Sequence, residues 1–366
     1  MNEPAQILDL TKALPPTPPI LDRALSATLR SLSNERDLGS RIRINRPGGN
    51  AQDREVAAAW LSCRFDPAPP VDRIVVTNGT QSSLALILQF LAAPGDLILA
   101  EQLTYVVLAQ IVKRLGMRIE GVPLDDAGLM PEAFEAVCRS KKPKALYCNP
   151  TVHNPTASVM PESRRVAIAD IARRYGVSII EDDVLGALHG AVPRPFSAIA
   201  PDVTWYCMSL SKCFALGLRL AYVVAPSSGA AVDFLKPIQN LSSWFPAPLS
   251  LMVVADWIRT GMGRMIAVAI LDEMILRQAL AATLLPNADY TTTSGALHIW
   301  LRLPPAFDAS TFERAALQAG VAIRPSTLFC VDDCPAPNAV RISLSSPVRM
   351  ADLETGLTRI AALLEH

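Results

Sequence analysis

Ile74 to Leu91, IVVTNGTQSSLALILQFL, decides the fold. Ile74–Thr77 is apolar and β-branched enough for a buried strand, Asn78-Gly79 turns the chain, and residues 81–91 carry apolar side chains at helical spacing. A strand that feeds a helix in this way is the repeating unit of a parallel sheet, whose strands need crossover connections. The alternation continues through a strand at 97–100, a helix at 105–115, strands at 118–122 and 144–148, a helix at 162–175 and strands at 177–181, 205–209 and 218–224. The expected architecture is α/β, with a mostly parallel central sheet wrapped by helices.

Ahead of this block, Pro15, Pro16, Pro18 and Pro19 precede a helical stretch near 21–32, so the chain should begin with an extended arm of the kind that often packs on a neighbour. Beyond Pro246 the pattern changes to longer helices at about 249–260 and 265–284, then strands at 297–301, 321–324 and 340–344. A closing helix at 350–364 sets Leu353, Leu357, Ile360 and Leu364 on one face for core packing. The division this suggests is an arm and part of a small domain over 1–45, a large domain over 46–260 and a small α+β domain over 261–366.

With 366 residues and 50% hydrophobic content, the chain can bury a large core. Lys plus Arg and Asp plus Glu both number 34, so no net charge draws it to nucleic acid or an anionic membrane. Met1-Asn2-Glu3-Pro4 lacks the features of an export signal, no window is apolar for 18 residues, and the 7 cysteines are odd in number without a C-x-x-C pair. The expectation is a reduced, cytoplasmic protein with a small-molecule partner. Cys330 and Cys334 read as loop thiols rather than metal ligands.

Ligands of open α/β sheets lie at the carboxyl ends of the strands. After the first strand, Thr77-Asn78-Gly79-Thr80-Gln81 opens a helix whose N–H groups can bind a phosphate, although Thr80 as a simple helix cap is the plainer reading of that segment alone. Two Asn-Pro steps in Asn149-Pro150-Thr151-Val152-His153-Asn154-Pro155 make a loop able to aim the Asn154 amide at a hydroxyl. Glu181-Asp182-Asp183 leave an apolar strand, where a carboxylate is costly to bury unless a cation or donor awaits it. In Ser209-Leu210-Ser211-Lys212, an amine just beyond a buried strand can lose basicity and become a nucleophile toward a carbonyl.

Taken together, TNGTQ, NPTVHNPT, EDD, SLSKCFALGLR and VRIS stand in the order and approximate spacing of fold-type-I pyridoxal-phosphate (PLP) enzymes, the aspartate-aminotransferase superfamily. The chain most resembles the aminotransferase-like domains of MocR-type regulators and the 2-aminoadipate and kynurenine type aminotransferases. The resemblance implies that Lys212 holds the cofactor as a Schiff base, that Asp182 pairs with its pyridinium nitrogen and that Asn154 bonds its phenolic oxygen. It further implies that Tyr105 stacks on the ring, and that Gly79, Thr80, Gln81, Ser209, Ser211 and Arg219 form the phosphate cup. Arg341, with Asn154 beside it, would take the substrate α-carboxylate. The implied reaction is transamination between an L-amino acid and a 2-oxo acid in a homodimer.

Two positions depart from the family pattern. Leu185 stands where relatives usually have a tyrosine that shares the phenolic oxygen, and Ile44 stands where a tyrosine commonly reaches the partner subunit's phosphate. A lyase, racemase or decarboxylase on the same Schiff base therefore stays open, as does a sensing domain that binds without turnover. The resemblance begins by Leu8, which leaves no room for a DNA-binding module in these 366 residues. His153 and His298 read as structural. Pro15 to Pro19, Phe245 and Ser326–Phe329 are expected to line the side-chain pocket.

Overall fold

A computed structural model of the chain describes residues 7–365 except 191 and 333. Met1 to Gln6, where an export signal was sought, and Asp333, between Cys330 and Cys334, lie outside the described residues. The strands are β1 (Leu8–Asp9), β2 (Ile74–Thr77), β3 (Leu97–Glu101), β4 (Arg118–Val122), β5 (Leu124–Asp125), β6 (Gly128–Leu129), β7 (Ala145–Cys148) and β8 (Ser178–Asp182). They continue with β9 (Thr204–Ser209), β10 (Ala221–Val224), β11 (Tyr290–Thr291), β12 (His298–Arg302), β13 (Val321–Ala322), β14 (Arg324–Pro325) and β15 (Ala339–Ser343).

A seven-stranded sheet runs in the order β2-β10-β9-β8-β7-β3-β4. β10 is antiparallel to both of its neighbours, and the other pairs are parallel. Apart from Ser178 at the start of β8, the interior strands are buried along their whole length, which is why they read as continuous apolar runs rather than alternations. A four-stranded antiparallel sheet, β11-β12-β15-β14, forms the second layer system. The closing helix Met350–Leu364 buries Leu353, Leu357 and Ile360 and packs on the long helix Met262–Leu284 and on β1 and β13.

Two expectations change. The strand expected at 218–224 begins only at Ala221, because residues 216–218 form a helical turn and Arg219 takes a left-handed conformation (φ 50°). The described part of the N-terminal arm packs on its own chain: β1 pairs in parallel with β13, Leu10 is fully buried, and Ser343 N–H donates to the Leu10 carbonyl. Helices Ala51–Leu61, Pro131–Lys141, Ser228–Leu235 and Ala309–Gln318 were not anticipated. The first is started by a capping box in which the Asn50 side chain accepts from Asp53 N–H and Asp53 accepts from Asn50 N–H.

Candidate active site

The carboxyl ends of β2, β7, β8 and β9 meet at one edge of the large sheet. β10 runs the other way, so Arg219, two residues before it, is delivered to the same edge. The residues expected to hold the cofactor and the substrate carboxylate, from Gly79, Thr80 and Gln81 through Tyr105, Asn154, Asp182, Ser209, Ser211, Lys212 and Arg219 to Arg341, all line one cavity there.

At one end of the cavity the helix Thr80–Leu91 presents its N-terminus. Gly79 precedes it with φ +127°, and a Cβ at that position would stand 3.3 Å from Arg219 Nη2. Glycine is required on both counts, since other residues avoid this backbone region and the guanidinium lies against it. The Arg219 side chain forms no hydrogen bond or ion pair among the described residues. Ser209 and Ser211 lie beside it, with Ser211 N–H donating to Ser209 Oγ (3.1 Å). Free helix N–H groups, a free guanidinium and two hydroxyls make a site for a dianion.

Strand alternation sorts the carboxylates of Glu181 and Asp182 at the end of β8 and of Asp183 just after it. Glu181 and Asp183 point away from the cavity, where Glu181 Oε1 lies 3.5 Å from Arg165 and Asp183 Oδ2 accepts from Arg64 Nε and Tyr206 OH, both at 2.8 Å. These pairs offset the cost of burying two anions behind the site. Asp182 points in. Its Oδ2 accepts from Tyr147 OH (2.7 Å), while its Oδ1 is buried with no partner among the described residues. Burial, with the charge of Asp183 adding to it and the Tyr147 bond opposing, pushes this carboxyl up to about 7. It therefore calls for a cation. Asn149 fixes the segment by donating to the Asp182 carbonyl and accepting from Asn154 N–H (2.9 Å).

Lys212 is half-buried, and its Nζ donates to the Ala13 carbonyl. Burial first, then the charge of Arg341, pushes its amine down to about 8 against the pull of Asp182. At pH 7 about a tenth of it is then free base, against less than a thousandth for an ordinary lysine. In cofactor-free protein, the rate of Lys212 reaction with an aromatic aldehyde should rise about tenfold from pH 6 to 7 and level off above about 8. A rate still climbing at pH 10 would contradict this environment.

At the far end, Arg341 Nη1 donates to Asn154 Oδ1 (2.7 Å) and Nη2 to the Thr11 carbonyl (2.5 Å), with Phe329 stacked under the guanidinium at 5.0 Å. Tyr105 lines the cavity between the two ends, its hydroxyl accepting from Gln81 Nε2 (2.8 Å).

The residues expected to line the side-chain pocket, Pro15 to Pro19, Phe245 and Ser326–Phe329, do not line this cavity. Phe245 instead packs edge-on against Trp244 at 5.1 Å, and Phe329 reaches the site only through Arg341. Tyr147 and Asn149 were missed, and His298, read as structural, lies in the cavity wall. Of the two departures from the family pattern, Leu185 lines the cavity as an apolar side chain, whereas Ile44 is 61% exposed.

The family model described as "Aminotransferase class I and II" matches residues 16–360. This chain belongs to that family. It has the fold of the type-I PLP-dependent enzymes. Among its relatives, the uncharacterized HTH-type transcriptional regulator YdeF of Bacillus subtilis (strain 168) is 29% identical over 92% of this chain and 72% of its own length. The mitochondrial kynurenine/alpha-aminoadipate aminotransferase of Rattus norvegicus is 26% identical over 80% of this chain and 73% of its own. Two further regulators are spanned for only 61% and 65% of their length. In fold, the aminotransferase superposes on a Pyrococcus horikoshii kynurenine aminotransferase, crystallised in complex with PMP, with a TM-score of 0.87, 22% identity and coverage of 99% and 91% of the two chains.

The residues present fit the family's cofactor on structural grounds. The orphaned Asp182 Oδ1 matches a protonated ring nitrogen, the glycine-floored helix end with Arg219 matches a phosphate, and Lys212 lies in the same cavity. No described helix of the aminotransferase is long and apolar enough to cross a membrane.

Proposed function

We propose that this aminotransferase moves the amino group of an L-amino acid to a 2-oxo acid, with Lys212 as the lysine that anchors the cofactor and carries the Cα proton. The observation that carries this reading is the buried, unpartnered Oδ1 of Asp182 in one cavity with Lys212 and the phosphate-ready helix end. Bound PLP supplies an electron sink for the pair released when the Cα–H bond breaks.

The chain's own groups do the rest. Asp182 holds an anion where the ring nitrogen needs one, and Tyr147 fixes that carboxylate's orientation through Oδ2. Arg341 binds the α-carboxylate, and Asn154 holds the guanidinium in place while its amide N–H₂ remains free to donate. With its basicity lowered, Lys212 would take the Cα proton and deliver it across the amino nitrogen to the carbon of the cofactor that receives the amino group. Val184 and Leu185 keep one wall of the cavity apolar, which excludes water from that transfer.

We also read the working unit as a cytoplasmic homodimer, for which exposed Ile42, Ile44, Leu241 and Leu249 supply apolar surface. Light scattering that gives a monomer at micromolar concentration would remove that part of the reading.

The deciding experiment is an absorbance spectrum with added PLP, before and after L- and D-amino acids. A visible band converted to the pyridoxamine form by an L-amino acid supports transamination. A band that shifts without converting points to the sensor reading, which the likeness to named regulators favours. Arg341→Gln should raise KM for the amino acid and lower kcat/KM by about 10² to 10³, since a bidentate charge pair in a buried site is lost. A change below about threefold would take Arg341 out of the carboxylate site.

A further inference from the structure

His298 is the one cavity-wall residue whose polar atoms neither the fold nor the proposed mechanism uses. It lies on β12 opposite Ser343 of β15, in the register that sets Trp300 opposite Arg341. Directly opposed residues share a face, and so do residues two apart, so His298, Trp300, Arg341 and Ser343 all project from the same side of the small sheet. That side faces the large domain: Arg341 meets Asn154 there, and His298 lines the same cavity as Lys212.

The ring is 98% buried by its 2% exposure, and neither nitrogen makes a well-formed hydrogen bond among the described residues, although the His153 and Pro155 backbone carbonyls lie close enough to act on it. Buried ring nitrogens in this condition are uncommon, because each has given up water for at most a poorly formed bond. The surroundings also settle the protonation state. Burial, then the positive charge of Arg341, hold the imidazole down to about 3 against the pull of the His153 and Pro155 backbone carbonyls. His298 is thus neutral throughout the working range, with one N–H donor and one lone pair.

The neighbour explains what a neutral donor is for. Arg341 has two of its N–H groups committed to Asn154 Oδ1 and the Thr11 carbonyl, and its Nε is buried without a partner. A carboxylate docking on this guanidinium has about four lone-pair positions to satisfy, more than a partly committed fork fills. A second cation beside Arg341 would repel it, whereas a neutral N–H adds a bond without adding like charge.

We propose that His298 is a substrate-binding residue of this site, its ring N–H donating to the carboxylate that Arg341 binds. The inference rests on the reading of Arg341 as the carboxylate site. It makes recognition of the acid group a two-residue device on one sheet face, an arginine for charge and a non-titrating imidazole for direction.

The test uses the PLP-loaded full chain labelled with [15N]histidine, whose 4 imidazoles include one assigned by its loss in His298→Phe. Propionate, which carries a carboxylate and no amino group, should shift the His298 ring resonance at saturation in the wild type and leave it unshifted in Arg341→Gln. In turnover, His298→Phe should raise KM for the best amino acid of the panel about tenfold while kcat changes less than threefold, and His298→Gln, which keeps an N–H donor, should recover most of that loss. A His298 resonance unmoved by saturating propionate overturns the inference, as does a KM in His298→Phe equal to that of wild type. A wild type that shifts on propionate yet never turns over would sink transamination and leave His298 as a carboxylate ligand.

Discussion

Lys212→Ala is expected to lower kcat/KM by at least about 10⁴ and to remove the visible band that added PLP gives the wild type, because one side chain both anchors the cofactor and moves the Cα proton. Lys212→Arg should be as inactive, since a guanidinium keeps its proton at any working pH. Folding is expected to survive, because the ammonium is held in a half-buried place that already opposes its charge. Thermal unfolding within a few degrees of wild type, together with lost turnover, would separate a chemical loss from a structural one. A Lys212→Ala protein that keeps a tenth of its activity would dismiss the central assignment.

Asp182→Asn ranks second. Removing one member of a buried charge pair costs about 3 to 5 kcal/mol, which corresponds to roughly 10² to 10⁴ in rate if the pair matters chiefly in the transition state. The amide keeps the shape and an acceptor for Tyr147, so cofactor affinity should fall less than turnover does. It also removes the repulsion from Asp183 that helps push Asp182 up to about 7. Stability of the cofactor-free variant should therefore be unchanged or higher in denaturant titration. Activity within tenfold of wild type would show that Asp182 does not govern the ring charge.

The parts of the site that could be read in the sequence are those set by local pattern. Gly79 stands between an apolar strand and a helix, and Lys212 and Asp182 follow buried runs, so their placement needs only the alternation of strand and helix and the rule that ligands lie at strand ends. Tyr147 escaped because it reads as one more apolar strand residue. Its role depends on the register that sets Tyr147 beside Ile180, and therefore its hydroxyl near Asp182. His298 escaped in the same way, through a pairing with Ser343, 45 positions further along the chain. The surroundings of Arg341 show the same limit, since the groups that meet there, the Thr11 carbonyl and the Asn154 amide, come from residues far apart in the chain.

The tie between β1 and β13, with Thr11 on Arg341 and Lys12 accepting from Ser343 Oγ (2.7 Å), joins the two extremes of the polypeptide. Contacts of such sequence separation form late. Ribosomes add about 5 to 20 residues per second, so on the order of 15 to 65 s separate the emergence of the first strand from that of its distant partner. Gly79, Asp182, Lys212 and Arg219 all emerge within that interval. The residues proposed to hold the cofactor thus leave the ribosome before the arginine proposed to take the acid group, so that the order of synthesis runs from cradle to selector.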